Sequence, residues 1–160
     1  MRSARLKTVL LWGALYGAVW ALAPGCLSEI LSTPGEAATT ILAGAVTGML
    51  MSAALAPGLA VSHRWQAVCL GVLTLPLGAG LFGFVASWIH WTVMKLTGTH
   101  YRFVMQIVEP PGYIFDPLQT AMNYAFYATL SAFGIVFMPL AIFTTLHLRR
   151  RMAAPPVVQS

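Results

Sequence analysis

Charge is scarce in this chain. Lys, Arg, Asp and Glu make up 8% of its 160 residues, against roughly 25% in an ordinary soluble domain. A water-facing surface of normal composition cannot be assembled from so few, whereas a lipid-facing one can. Acidic residues are scarcer still, 4 against 9 basic, and Glu29, Glu36, Glu109 and Asp116 all lie outside the middle of the long apolar runs. Ionisable groups at mid-membrane depth mark proton relays, ion sites and coupled transporters. Their absence argues against a drug-type antiporter, and a lone aspartate argues against an aspartyl membrane protease.

Cysteine is nearly absent too. Cys26 and Cys69 are the two in the chain, and they are expected at opposite ends of the molecule, too far apart for a bridge. No CxxC and no Cys/His cluster with zinc spacing occurs, so neither a thiol redox centre nor a metal site is expected. The net charge of +5 does not indicate nucleic acid, because the basic residues flank apolar runs, a placement suited to anionic headgroups.

What the chain has is apolar length. Hydrophobic residues make up 58% of it, and mean hydropathy is +0.76. Four runs stand out: 8–23, ending at Pro24-Gly25; 34–56, ending at Pro57-Gly58; 65–94; and 117–148. A span needs about 20 residues, so the first is marginal and the last two must tilt or protrude. The expected fold is an all-α membrane protein, a four-transmembrane-helix bundle over residues 1–148. Residues 149–160 are expected to form a basic and then disordered tail. Thr33-Pro34-Gly35-Glu36 and Asp116-Pro117-Leu118-Gln119 each read as a helix start: a capping side chain, Pro at the first helical position, and an acid or amide that reaches back.

Orientation follows the basic residues. Arg2, Arg5, Lys7, Arg64, Arg149, Arg150 and Arg151 fall on one side of the alternating spans, Lys95 and Arg102 on the other. The positive-inside rule places both termini in the cytoplasm, in a membrane of the bacterial inner (plasma) type. The N-terminal segment also resembles a secretory signal, with Ala21-Leu22-Ala23 as a cleavage site. Pro24 just after that cut argues for a retained helix.

Small residues at four-residue spacing predict close helix contacts: Gly13 and Gly17; Gly44, Gly48 and Ser52; Ala79 and Gly83. Pro76 and Pro139 lie inside spans and predict kinks. An Ala-Leu-Ala-Pro-Gly repeat (Ala21 to Gly25, Ala54 to Gly58) matches common membrane composition and implies no duplication.

Convergent polar residues offer a candidate pocket in the outer half of helices 2–4. It would comprise Glu36 and Thr40 on the second span, Ser87 and His90 on the third, and Gln119, Asn123 and Tyr127 on the fourth. Interhelical hydrogen bonding explains the same pattern. No nucleophile–base pair is legible, which weighs against catalysis. The histidines lack the companions a haem site would have, so no cofactor is expected. The loop from Leu96 to Asp116, with apolar 103–108, is expected to rest on the headgroup boundary or on a partner.

Three functions remain. The first is a non-catalytic subunit or scaffold packed against another membrane protein or a second copy. The second is a small transporter or binder of lipid or another hydrophobic ligand. An interfacial enzyme is the third and least supported.

Overall fold

The computed structural model describes residues 2–27, 34–98, 115–130 and 132–153; the side chains at 2–5, 23–27, 36, 132–133 and 153 are not described. Five helices account for nearly all of these residues: α1 (Arg2–Leu27), α2 (Pro34–Val61), α3 (Arg64–Thr97), α4 (Pro117–Leu130) and α5 (Ala132–Ala153). Among the described residues there is no strand. The loop readings at 103–108 and at the Thr33 cap lie outside the described residues.

Proline ends fewer helices than its position suggests. The first apolar run was expected to stop at Ala23 and the second at Ala56, yet α1 continues through Pro24 to Leu27 and α2 through Pro57 to Val61. Proline frees one carbonyl and leaves the remaining ladder intact, and apolar helices tolerate this readily. Pro76 and Pro139 likewise lie inside α3 and α5.

Other ends are set by local hydrogen bonds. The Gln119 amide donates to Asp116 Oδ1 at 2.9 Å, so Asp116 caps α4 ahead of Pro117. The His63 amide donates to Gln66 Oε1 at 2.8 Å, the reaching-back half of a capping box at the start of α3. Gly98 ends α3 with φ +67°, and its N–H returns to Met94 O at 2.9 Å. That left-handed conformation suits a residue without Cβ.

The expected fourth span is not one helix. α4 and α5 are bent by 98° at the break between them. Their packing against α3 shows what the break does. Phe115, just ahead of α4, lies against Trp88 and Trp91, with centroids 4.8 and 5.5 Å away. Ala128, near the end of α4, joins the cluster of Leu75, Phe137 and Ala141. A straight helix would advance ~15 Å between positions 128 and 137, yet both residues pack in the same cluster. The chain steps sideways here, and Gly134 permits the step. A Cβ on it would fall 2.5 Å from Ala128 O and 3.0 Å from Thr129 O. The 98° bend lies at this break, eight residues ahead of Pro139.

α1 and α2 form the tightest pair. A Cβ on Gly13, Gly17, Gly44 or Gly48 would collide with atoms of the facing helix at less than 3.0 Å. α3 meets α4 at Gly83, where a Cβ would fall 3.0 Å from the Tyr124 ring, and meets α5 at Gly71, where it would fall 2.7 Å from Ile142 Cα. Val9, Leu59, Ala67 and Leu148 form one buried cluster. It joins the start of α1, the end of α2, the start of α3 and the end of α5 at one end of the bundle. Arg149 Nε donates to Ser62 O at 2.9 Å, pinning α5 to the α2–α3 turn there.

Two helices, Ala37–Val61 and Arg64–Thr97, are long and apolar enough to cross a membrane, and the broken α4–α5 pair raises this to three. α1 has a shorter apolar stretch, Leu6–Leu22. Only 33% and 22% of the two long apolar windows are buried within the protein. Leu11, Leu73, Leu77, Leu130 and Ile135 are each more than half exposed. Apolar surface this extensive requires lipid or another apolar covering.

Candidate functional site, an interhelical cavity

The bundle holds a half-open cavity of about 210 Å³ to which all five helices contribute. It exists because the helices facing it are short of side-chain volume. Gly44, Thr47 and Gly48 present one wall from α2; Gly78 and Ala79 present another from α3. Gly78 shows the deficit directly, since a Cβ built there would have nothing within 4 Å. Aromatic pairs border the space. Trp20 of α1 meets Phe137 of α5 with centroids 5.4 Å apart, and Phe82 of α3 meets Tyr124 of α4 at 5.5 Å.

Among the described residues no Asp, Glu, Lys, Arg or His lines the cavity. Its polar atoms are hydroxyls, most of them turned to their own backbones. Thr74 Oγ1 donates to Gly71 O at 2.6 Å, while Thr144 and Thr145 donate to Ala141 O at 2.9 and 2.8 Å. Ser52 Oγ donates to Gly48 O. Such back-bonding hides the polarity of a hydroxyl in an apolar helix. Thr47 differs: it is 6% exposed, and its Oγ1 has no hydrogen-bond partner among the described residues.

The residues expected to form a polar pocket fall into two groups. Thr40, Ser87 and His90 are buried, and Ser87 Oγ donates to Gly83 O at 2.9 Å. Gln119, Asn123 and Tyr127 are exposed on α4, which does not pack on α2. The Glu36 side chain lies outside the described residues. None of the other six lines the cavity. Of the small residues singled out for packing, Gly13, Gly17, Gly44, Gly48 and Ser52 meet at the α1–α2 contact, Gly83 faces α4, and Ala79 lines the cavity.

The geometry of a helix explains the division. A row at four-residue spacing drifts about 40° per step. The row from Gln119 to Tyr127 therefore moves round α4 on its outer side, while Tyr124, about 100° from Asn123, faces inward and is 6% exposed. On α2 the buried face takes in Ala43 and Thr47 as well as Thr40, Gly44 and Ser52. Thr47 was missed because it sits three residues beyond Gly44, off the four-residue row.

A second cluster sits at the basic end. Trp12 and Tyr16 pack on the His147 ring with centroids 5.1 and 5.8 Å away. Arg151 Nε donates to His147 Nε2 at 3.1 Å, and its guanidinium lies 5.0 Å from the Trp12 ring. Arg64 is exposed at this end, and His63 is exposed beside it. At the other end Lys95 lies 5.9 Å from the Trp91 ring. Among the described residues no three His, Cys, Asp or Glu side chains are grouped to hold a metal.

No protein-family model, curated protein or solved structure matches this chain.

Proposed function

We propose that this chain is a polytopic membrane protein that binds a neutral, apolar small molecule inside the bilayer. The observation that carries the reading is the 210 Å³ cavity, walled by apolar and small residues and, among the described residues, lined by no Asp, Glu, Lys, Arg or His. Dry apolar cavities bind apolar guests, and pockets of this character between the helices of a bundle are common ligand sites. The break between α4 and α5 supports the same reading, because irregular backbone at membrane depth is tolerated where it lines a cavity or is buried in protein. Ala128 and Phe137, on either side of the break, both line this one.

In this reading α1, α2, α3 and the broken α4–α5 pair each cross once. The basic end faces the cytoplasm, with both termini there, and the membrane is of the bacterial inner type. α1 packs on α2 and α5 but not on α3 or α4, so an apolar guest enters sideways from the lipid through that gap. Binding, carriage across the bilayer, or presentation to another component are all compatible with such a site.

A second reading has its own support. Gln119 and Asn123 are exposed on α4, and side-chain amides facing lipid seek a partner across a helix interface. A subunit or scaffold role, with a membrane-protein partner or a second copy on α4, explains that exposure.

The deciding experiment is native mass spectrometry of the protein in mild detergent, beside the variant Gly78→Leu, which puts an isobutyl group where space is open. Wild type should carry close to one equivalent of a neutral apolar molecule that the variant lacks. A protein free of small molecules but bound to a stoichiometric protein partner would replace the ligand reading with the subunit reading.

A further inference from the structure

Among the described Ser and Thr side chains that line the cavity, only Thr47 leaves its hydroxyl without a partner. Ser52, Thr74, Thr144 and Thr145 all satisfy their hydroxyls on backbone carbonyls of their own helices. Thr47 has the same opportunity, since any helical threonine lies within reach of a carbonyl three or four residues back. It does not take it, although the residue is only 6% exposed and its Oγ1 is enclosed without a partner. A buried hydroxyl left unpaired is destabilising. Valine at this position would avoid that cost with nearly the same shape.

We propose that Thr47 is the hydrogen-bonding anchor of the cavity, and that its ligand is a neutral amphiphile: an aliphatic or isoprenoid chain ending in one alcohol or carbonyl group. This deepens the cavity reading above and rests on it. The rest of the lining fixes the remaining chemistry. With no Lys, Arg or His on the wall, a carboxylate or phosphate would lose its hydration without compensation, so the ligand is uncharged. The unpaired Thr47 hydroxyl on mostly apolar walls matches a ligand with one polar group. Size follows from volume: an apolar cavity of about 150 Å³ admits a benzene ring. At 210 Å³ the space takes roughly eight to ten non-hydrogen atoms on that scale. That corresponds to an octanol-sized molecule, or to the polar end of a longer chain whose tail leaves between α1 and α4.

The test uses the full chain in phosphatidylcholine nanodiscs, photolabelled with a diazirine-bearing octan-1-ol. Competitors are octan-1-ol, nonane and octanoate, compared at equal mole fraction in the lipid. In wild type, labelled peptides should come from α2 around Thr47 and from α3 around Gly78. Octan-1-ol should compete about threefold to tenfold better than nonane, the range expected for one net hydrogen bond, and octanoate should compete least. In Thr47→Val the alcohol's advantage should vanish while nonane competes as before, and Thr47→Ser should restore it. The unliganded Val variant should unfold no earlier than wild type, which also guards against a folding artefact. Equal competition by alcohol and alkane in wild type would overturn the anchor and leave the cavity reading standing, as would an alcohol preference that survives in Thr47→Val. Absence of labelling on both α2 and α3 would instead sink the cavity reading itself.

Discussion

Replacing Gly48 by Ala adds one methyl group, and the structure says where it goes. An ideal Cβ at Gly48 overlaps the Gly13 carbonyl oxygen and sits 2.9 Å from both Gly13 C and Gly17 Cα. All three atoms are backbone, so no rotamer change can relieve the clash and α1 must move away from α2. Overpacking of this kind costs about 1–3 kcal/mol. The gain in helix propensity from Gly to Ala returns up to ~1 kcal/mol, leaving a net loss of about 0–2 kcal/mol. Gly58 is the internal control. It lies on the same helix, and a Cβ there would have nothing within 4 Å, so Gly58→Ala should be neutral or stabilise by up to ~1 kcal/mol. Gly17 and Gly44 supply a further check, because each new methyl would strike the other residue's carbonyl oxygen. Once one substitution has parted the helices the second costs less, so the double variant should fall short of the sum by at least ~0.5 kcal/mol. Reversible unfolding by SDS in mixed micelles, followed by far-UV circular dichroism and by the fluorescence of Trp12 and Trp20, measures all of these. If Gly48→Ala and Gly58→Ala lie within ~0.5 kcal/mol of each other, the close approach of α1 and α2 is refuted.

Removing the Arg149 side chain with Ala takes away the hydrogen bond to Ser62 O that ties α5 to the α2–α3 turn. For this partly buried charged donor a loss of about 1–2 kcal/mol is expected, with faster amide exchange confined to residues near Ser62 and the end of α5. Gly134→Val would drive a branched side chain towards Ala128 O and Thr129 O. It should destabilise by about 1–3 kcal/mol and alter ligand retention as well as stability, since the break borders the cavity; unchanged stability would deny the tight sideways step. On a background lacking Cys26 and Cys69, a single cysteine at Ser62 should react with impermeant maleimide only after the inner face is exposed, and one at Gly98 from the outside. Reaction of both from the same face would contradict alternating crossings of α3.

The α1–α2 contact was legible because it is written locally. Gly13, Gly17, Gly44 and Gly48 stand at four-residue spacing on two neighbouring apolar runs, and small residues at that spacing let helix backbones approach. The Asp116 cap was legible for the same reason, since residues 116 to 119 carry the whole motif. The polar row on α4 was harder. Four-residue spacing told which residues share a stripe but not whether the stripe turns inward, and here Asn123 faces out while Tyr124 faces in.

Composition and periodicity alone determined that this chain is helical, that it is too apolar and too poor in charge for a water-facing surface, and where its close helix contacts lie. Each of these depends on residues within a few positions of one another or on totals over the chain. Tertiary structure decided the break between α4 and α5, the cavity, and the unpaired hydroxyl of Thr47. The break is visible only against α3, where Ala128 and Phe137 reach one level. The cavity is a volume that side chains from five helices leave unfilled, and space left empty by several distant segments at once has no signature in any one of them.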